Sequence, residues 1–171
     1  MGKSINKKIN EIYEANTHRI YVAYGSNLHT GQMAYRCPDA KVVAVGVLED
    51  YKLAFAGWPG HGVATVTPCK GSNVPVALWA ISESDEKSLD VYEGWPALYR
   101  KEEIEVVLKD GTRATGMVYI MNKKYHDQVM VDALPNIRYF NTIATGYETF
   151  GFNKKILNDA YRQTKNLWRF S

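Results

Sequence analysis

The stretch Arg19-Ile20-Tyr21-Val22-Ala23-Tyr24-Gly25-Ser26-Asn27-Leu28 constrains this chain more than any other. Its apolar, β-branched and aromatic run reads as a buried strand over 20–24. The run stops on Gly-Ser-Asn, and a short helical pattern follows over 31–36. A strand that ends so abruptly turns with several backbone N–H groups facing one way, a cradle for an anion or oxyanion. Gly25 lets the backbone come close to a ligand, and Ser26 and Asn27 add side-chain hydrogen-bonding groups. Alone, the turn is too short to fix a function.

The remainder is punctuated like a β-rich domain. Strands are expected over 42–47, 51–56, 63–67 and 74–81. They are separated by the turn cluster Gly57-Trp58-Pro59-Gly60-His61-Gly62 and by a second turn over 68–73. Pro75 marks an edge or a strand start. Segments 104–108 and 114–121 flank Asp110-Gly111, a favoured hairpin turn pair. Helical spacing returns over 136–149 (Ile137, Phe140, Ile143, Ala144, Tyr147) and 153–163 (Ile156, Leu157, Ala160, Tyr161), with Gly151 as a stop and Asn153 as a cap. This order gives an α+β domain over 19–171, a mixed, barrel-like β-sheet flanked by helices. Residues 1–18 read as a separate amphipathic extension, with Ile5, Ile9, Ile12 and Tyr13 on one helical stripe. Such a helix packs on the domain or on a second copy, which leaves a homodimer open.

Composition removes several function classes. A formal charge of +3 over 171 residues is too thin for a nucleic-acid face. No apolar run approaches the ~20 residues of a membrane span, and the lysine-bearing N-terminus has no secretory h-region. Cys37 and Cys69 form neither a metal spacing nor a CxxC, so a reduced, cytoplasmic chain is the plainer expectation, with a single disulfide left open. His18, His29, His61 and His126 are scattered, and no G-x-S-x-G, dinucleotide or Walker loop is present. Neither metal nor organic cofactor is expected.

One carboxylate stands in an awkward place. Ser82-Glu83-Ser84-Asp85 reads as a capping box that opens a helix, and Gly94 and Pro96 close it. Glu93 then sits in the last turn, against the negative end of the helix dipole. It also shares a face with Leu89, four residues earlier. If Leu89 is core, Glu93 points inward, and burial and dipole both raise its pKa towards the range of a general base. The alternatives are a carboxylate that tips to the surface, or one paired with Arg100 or Lys101. Asp90 reads as a solvated helix residue. Trp95 and Tyr99 border this turn and are candidate pocket walls.

Taken together, Tyr24-Gly25-Ser26-Asn27-Leu28 and Leu89-Asp90-x-x-Glu93-Gly94 resemble the γ-glutamylcyclotransferase family, of the AIG2-like, small bacterial type. Tyr99-Arg100-Lys101 and Tyr139-Phe140-x-x-Ile143-x-x-Gly146-Tyr147-x-x-Phe150-Gly151 fit the same pattern, so the likeness runs from about Arg19 to Asn153. The resemblance implies a small β-barrel flanked by helices and no cofactor. It implies an acyl-transfer or lyase-type cyclisation of a γ-glutamyl amine or γ-glutamyl amino acid to 5-oxoproline. It implies Glu93 as the catalytic group and Tyr24, Gly25, Ser26, Asn27, Leu28 and Tyr99 around the substrate, with Tyr139 or Tyr147 as further walls or hydroxyl donors. Members acting on glutathione commonly carry Leu where this chain has Asn27, which points away from that branch. A non-catalytic binding module of the same fold is the rival reading.

Overall fold

The computed structural model describes residues 18–126 and 133–167, with Lys7 beside them. Apart from Lys7, which is helical, the helix expected over 4–16 therefore lies outside the described residues. Five strands, β1 (Arg19–Ala23), β2 (Lys41–Trp58), β3 (His61–Ile81), β4 (Tyr99–Leu108) and β5 (Arg113–Met121), close into a barrel in the order β1-β3-β2-β4-β5. β1 runs antiparallel to β3, with Ile20 opposite Ala80 and Val22 opposite Leu78. It meets β5 in parallel at Tyr21 and Met117, which seals the sheet and removes its free edges.

Two long strands replace the four short ones expected over 42–81. The segments 42–47 and 51–56 are one strand, β2, and 63–67 and 74–81 are one strand, β3. The turn expected over 68–73 is instead an excursion from a continuous ladder: Tyr51 faces Pro68 and Glu49 faces Asn73, so residues 69–72 stand outside the strand register. Gly71 takes φ +83° there, and its N–H bonds Asp50 Oδ1 at 2.8 Å. Gly, Ser and Asn serve a bulge as well as a turn, so composition does not separate the two. Pro75 faces Val47, and pairing with β1 starts only at Ala77. β3 is thus locally an edge at Pro75, where a missing N–H costs little.

The helices are α1 (Thr30–Arg36), α2 (Glu83–Glu93), the short α3 (Lys123–His126), α4 (Ile137–Phe150) and α5 (Lys154–Leu167). α2 opens on the expected capping box. Ser82 Oγ accepts the Asp85 N–H at 3.1 Å, and the Asp85 carboxylate accepts the Ser82 N–H at 3.3 Å. Gly94 ends the helix at φ +64°, a conformation that favours a residue without Cβ. Leu89 is fully buried, a contact worth about 1.5–3 kcal/mol, and this fixes which face of α2 turns inward. α4 starts on Asn136, whose Oδ1 accepts the Tyr139 N–H at 2.9 Å, and ends on Gly151. It lies across residues 26–28, while α5 packs on β2. Among the described residues, no helix is long and apolar enough to cross a membrane.

Candidate active site

At the end of β1 the chain tightens into a single 3-10 turn, Ser26–Leu28. The Leu28 N–H bonds Gly25 O and the His29 N–H bonds Ser26 O, each at 3.0 Å. The Leu28 N–H is thereby consumed, so the cradle expected over 25–28 shortens to 25–27. Ser26 and Asn27 open the turn and have no earlier carbonyl within it to bond. Leu28 does not line the pocket. Its side chain is fully buried beneath α4, where a Cβ on Gly146 would stand 2.4 Å from Leu28 Cβ. Gly25 packs closely on the barrel, where a Cβ would lie 3.2 Å from that of Ala64.

Glu93 faces this turn. Asn27 Nδ2 donates to Glu93 Oε1 at 3.0 Å and to Tyr21 Oη at 2.9 Å. Asn27 Oδ1 accepts Arg36 Nη1 at 2.6 Å. Every polar atom of the Asn27 amide is therefore engaged within the protein, and the substrate-facing amide expected of this residue becomes a support for Glu93. The Glu93 carboxyl lies in the wall of a pocket of about 170 Å³. Burial pushes it up to about 7, against the opposing pull of Arg36 and of the Asn27 hydrogen bond. A carboxyl so poised can take and return a proton at neutral pH. Neither alternative pairing forms: Arg100 bonds Glu102 and the Met121 carbonyl, and Lys101 bonds Glu86 and Asp90.

Tyrosines are six of the thirteen residues in the wall. Tyr24 Oη donates to the Tyr119 carbonyl and Tyr99 Oη to the Ala64 carbonyl, each at 2.6 Å. These two are walls whose hydroxyl protons are spent. Tyr139 Oη accepts the Ala64 N–H at 3.0 Å and also borders the pocket. Tyr147 does not border it; this residue is buried on the inner face of α4 with its ring edge-on to Phe152. Trp95 also lies outside, exposed, with Lys101 Nζ 4.5 Å above its ring.

Asp90 departs from the expected solvated role. It accepts the Tyr119 hydroxyl at 2.6 Å and pairs with Lys101 at 2.7 Å. Lys101 also reaches Glu86, which holds Arg19 and His18 at 2.9 and 2.6 Å. This network pins α2 to β1, β4 and β5 behind the pocket.

Sequence reasoning missed Tyr21, Arg36, Tyr92 and Tyr119. Tyr92 was open to discovery as the neighbour of Glu93. Its hydroxyl lies 3.1 Å from Ser26 Oγ, and the Arg36 guanidinium stacks 3.5 Å above its ring. Arg36 carried no signal, because its position depends on how α1 docks. Among the described residues, no cluster of three His, Cys, Asp or Glu side chains is placed to hold a metal ion.

The family described as gamma-glutamyl cyclotransferase, AIG2-like, matches residues 21–137. A mouse gamma-glutamylcyclotransferase is 31% identical over 140 residues, which span 77% of this chain and 71% of that protein. The human protein of the same name is 34% identical over 111 residues, 60% of this chain and 58% of its own length. A solved gamma-glutamyl cyclotransferase structure superposes with a TM-score of 0.71 at 27% identity, over 83% of this chain and 85% of that one.

Proposed function

Because this chain belongs to the AIG2-like gamma-glutamyl cyclotransferase family, we propose that it cyclises a γ-glutamyl amine or γ-glutamyl amino acid to 5-oxoproline, with Glu93 as general acid/base. The observation that carries the reading is the Glu93 carboxyl, raised to about 7 inside a tyrosine-walled pocket that also holds Gly25, Ser26 and Asn27.

The substrate brings its own nucleophile, so the protein needs no Ser–His or Cys–His pair. The α-ammonium is inert until it loses a proton, and Glu93 takes it. The freed amine attacks the γ-carbonyl, and the N–H groups of 25–27 hold the developing oxyanion or the substrate carboxylate. The new C–N bond closes the ring as the bond to the departing nitrogen breaks. The ammonium gives up two protons in all. The departing nitrogen gains two, relayed through Glu93, and leaves as an ammonium ion. The enclosing tyrosines hold the chain folded for ring closure, and orientation of this kind supplies on the order of 7–11 kcal/mol.

The test is a mass-spectrometric screen for 5-oxoproline release from a panel of γ-glutamyl amines, γ-glutamyl amino acids and glutathione. Release that is lost in Glu93→Gln supports the reading. Binding of the same compounds with no release replaces the enzyme by a binding module of the same fold.

A further inference from the structure

We propose that Arg36 is a positioning residue that acts on Glu93 through Asn27, an inference that rests on Glu93 serving as the acid/base of the proposed cyclisation. Arg36 closes α1 and lies on the far side of Asn27 from the carboxylate. A guanidinium can only donate, so its 2.6 Å bond fixes which end of the Asn27 amide faces it. Nδ2 is left for Glu93 Oε1 and Tyr21 Oη. Remove Arg36 and the amide is free to rotate by half a turn. Oδ1 then faces Oε1, and two acceptors at that distance require a proton between them. Glu93 is held protonated, the wrong state for a base.

The charge acts in the same direction. Arg36 opposes the effect of burial on Glu93. The other groups facing this carboxyl do not share that role. They are Tyr21 from β1, Tyr24 just after it, Tyr99 from β4, Tyr119 from β5 and Tyr139 from α4, phenols raised above their ordinary value by burial and by Glu93 itself. Tyr92 stands beside it on α2, and Asp90, a turn earlier, is tied to Tyr119 and Lys101. Arg36 also stacks on Tyr92, so a purely mechanical role as a prop for the end of α2 is the competing explanation.

Arg36→Met and Arg36→Lys separate the two. Met keeps an aliphatic stem over Tyr92 without charge or donors, whereas Lys keeps the charge without the planar fork. In carboxyl-13C-Glu-labelled, substrate-free protein, the Glu93 resonance is identified by its loss in Glu93→Gln and titrated alongside kcat/KM against pH. Arg36→Met is expected to move both the titration midpoint and the acid limb up by about one pH unit, roughly a tenfold loss of kcat/KM below the limb. Arg36→Lys is expected to move them by less. An unmoved midpoint and limb in both variants, whatever happens to kcat, overturn the proposal in favour of the prop. If Arg36→Met does not fold, Arg36→Lys decides alone. A wild-type protein that releases no 5-oxoproline defeats the cyclisation reading instead, while the titration still reports the coupling of Arg36 to Glu93.

Discussion

Asn27 Nδ2 stands 3.0 Å from Glu93 Oε1, a contact between residues 66 positions apart. It joins the turn after β1 to the C-terminal end of α2. A neutral amide in that place orients one carboxylate oxygen and leaves Oε2 without a hydrogen bond from the described residues. The carboxyl is thus held in one orientation while remaining free to exchange a proton on its other side. The chemistry proposed for Glu93 depends on both conditions.

Glu93→Gln is expected to keep the fold and lower turnover by at least about 100-fold, since an amide cannot take the ammonium proton. Stability should move the other way. The carboxyl ionises near 4.3 when unfolded and at about 7 when folded. The native state therefore retains a proton that the unfolded state loses. Stability from this group is fully present below the unfolded value and is lost as pH rises through about 7. Thermal melts should show the variant more stable at pH 8, by at most about 4 kcal/mol, with the difference vanishing near pH 4. Turnover within tenfold of wild type would remove Glu93 from the base role.

The same ionisation sets the rate profile. kcat/KM reports the free enzyme, so it should fall about tenfold per pH unit below an acid limb at about 7. A limb near 4.5 would assign the base to an ordinary, solvated carboxylate. Residual activity of Glu93→Gln, measured over the same range, should lack the limb near 7.

The fold and the site were legible to different depths. Helix ends carried chemical marks, so the Ser82–Asp85 box, Gly94, Gly151 and Asn153 all stand where their residue types place them. Strand lengths did not, because Gly71 and Ser72 look alike in a turn and in a bulge. Glu93 was legible through a local conflict, a carboxylate at the wrong end of a helix and in phase with a core leucine. Arg36 and Tyr21 were not, because each joins the site only when the barrel closes and α1 docks. Asn27 stood out in the sequence, but its role did not. Its residue type revealed hydrogen-bonding capacity, and only the fold revealed that Arg36, Tyr21 and Glu93 fill it.

Gly146→Ala tests the support beneath the turn. A Cβ at this position would lie 2.4 Å from Leu28 Cβ and 2.8 Å from the Leu28 carbonyl carbon. Backbone cannot swing aside as a side chain does, so α4 or the turn must shift. Overpacking of this kind costs about 1–3 kcal/mol, which should appear as a lower urea midpoint. Because Leu28 follows Asn27 directly, kcat should fall together with stability. A variant with the wild-type midpoint and rate would show that the turn does not depend on this packing.

The pocket wall also bears on the departing group. Glu93 is the one charged side chain among the described residues lining the pocket, and six of the thirteen lining residues are tyrosines. A departing amine with an aliphatic body finds apolar rings there. A departing amino acid brings a second carboxylate, which would approach a partly ionised Glu93 without a cation beside it in the wall. A charge left without its partner costs on the order of 1.5–3 kcal/mol, roughly 10- to 100-fold in rate. The direction matches the expectation drawn from Asn27, but the cause differs: the Asn27 amide is already engaged, and the charge of the leaving group decides. Comparing γ-glutamyl-alanine with γ-glutamyl-alaninamide isolates that charge at nearly constant size. The amide should show the higher kcat/KM, and a γ-glutamyl alkylamine should exceed glutathione. A preference for γ-glutamyl-alanine or for glutathione would place a cation at the pocket mouth and reverse the order of substrates, with the cyclisation chemistry at Glu93 unchanged.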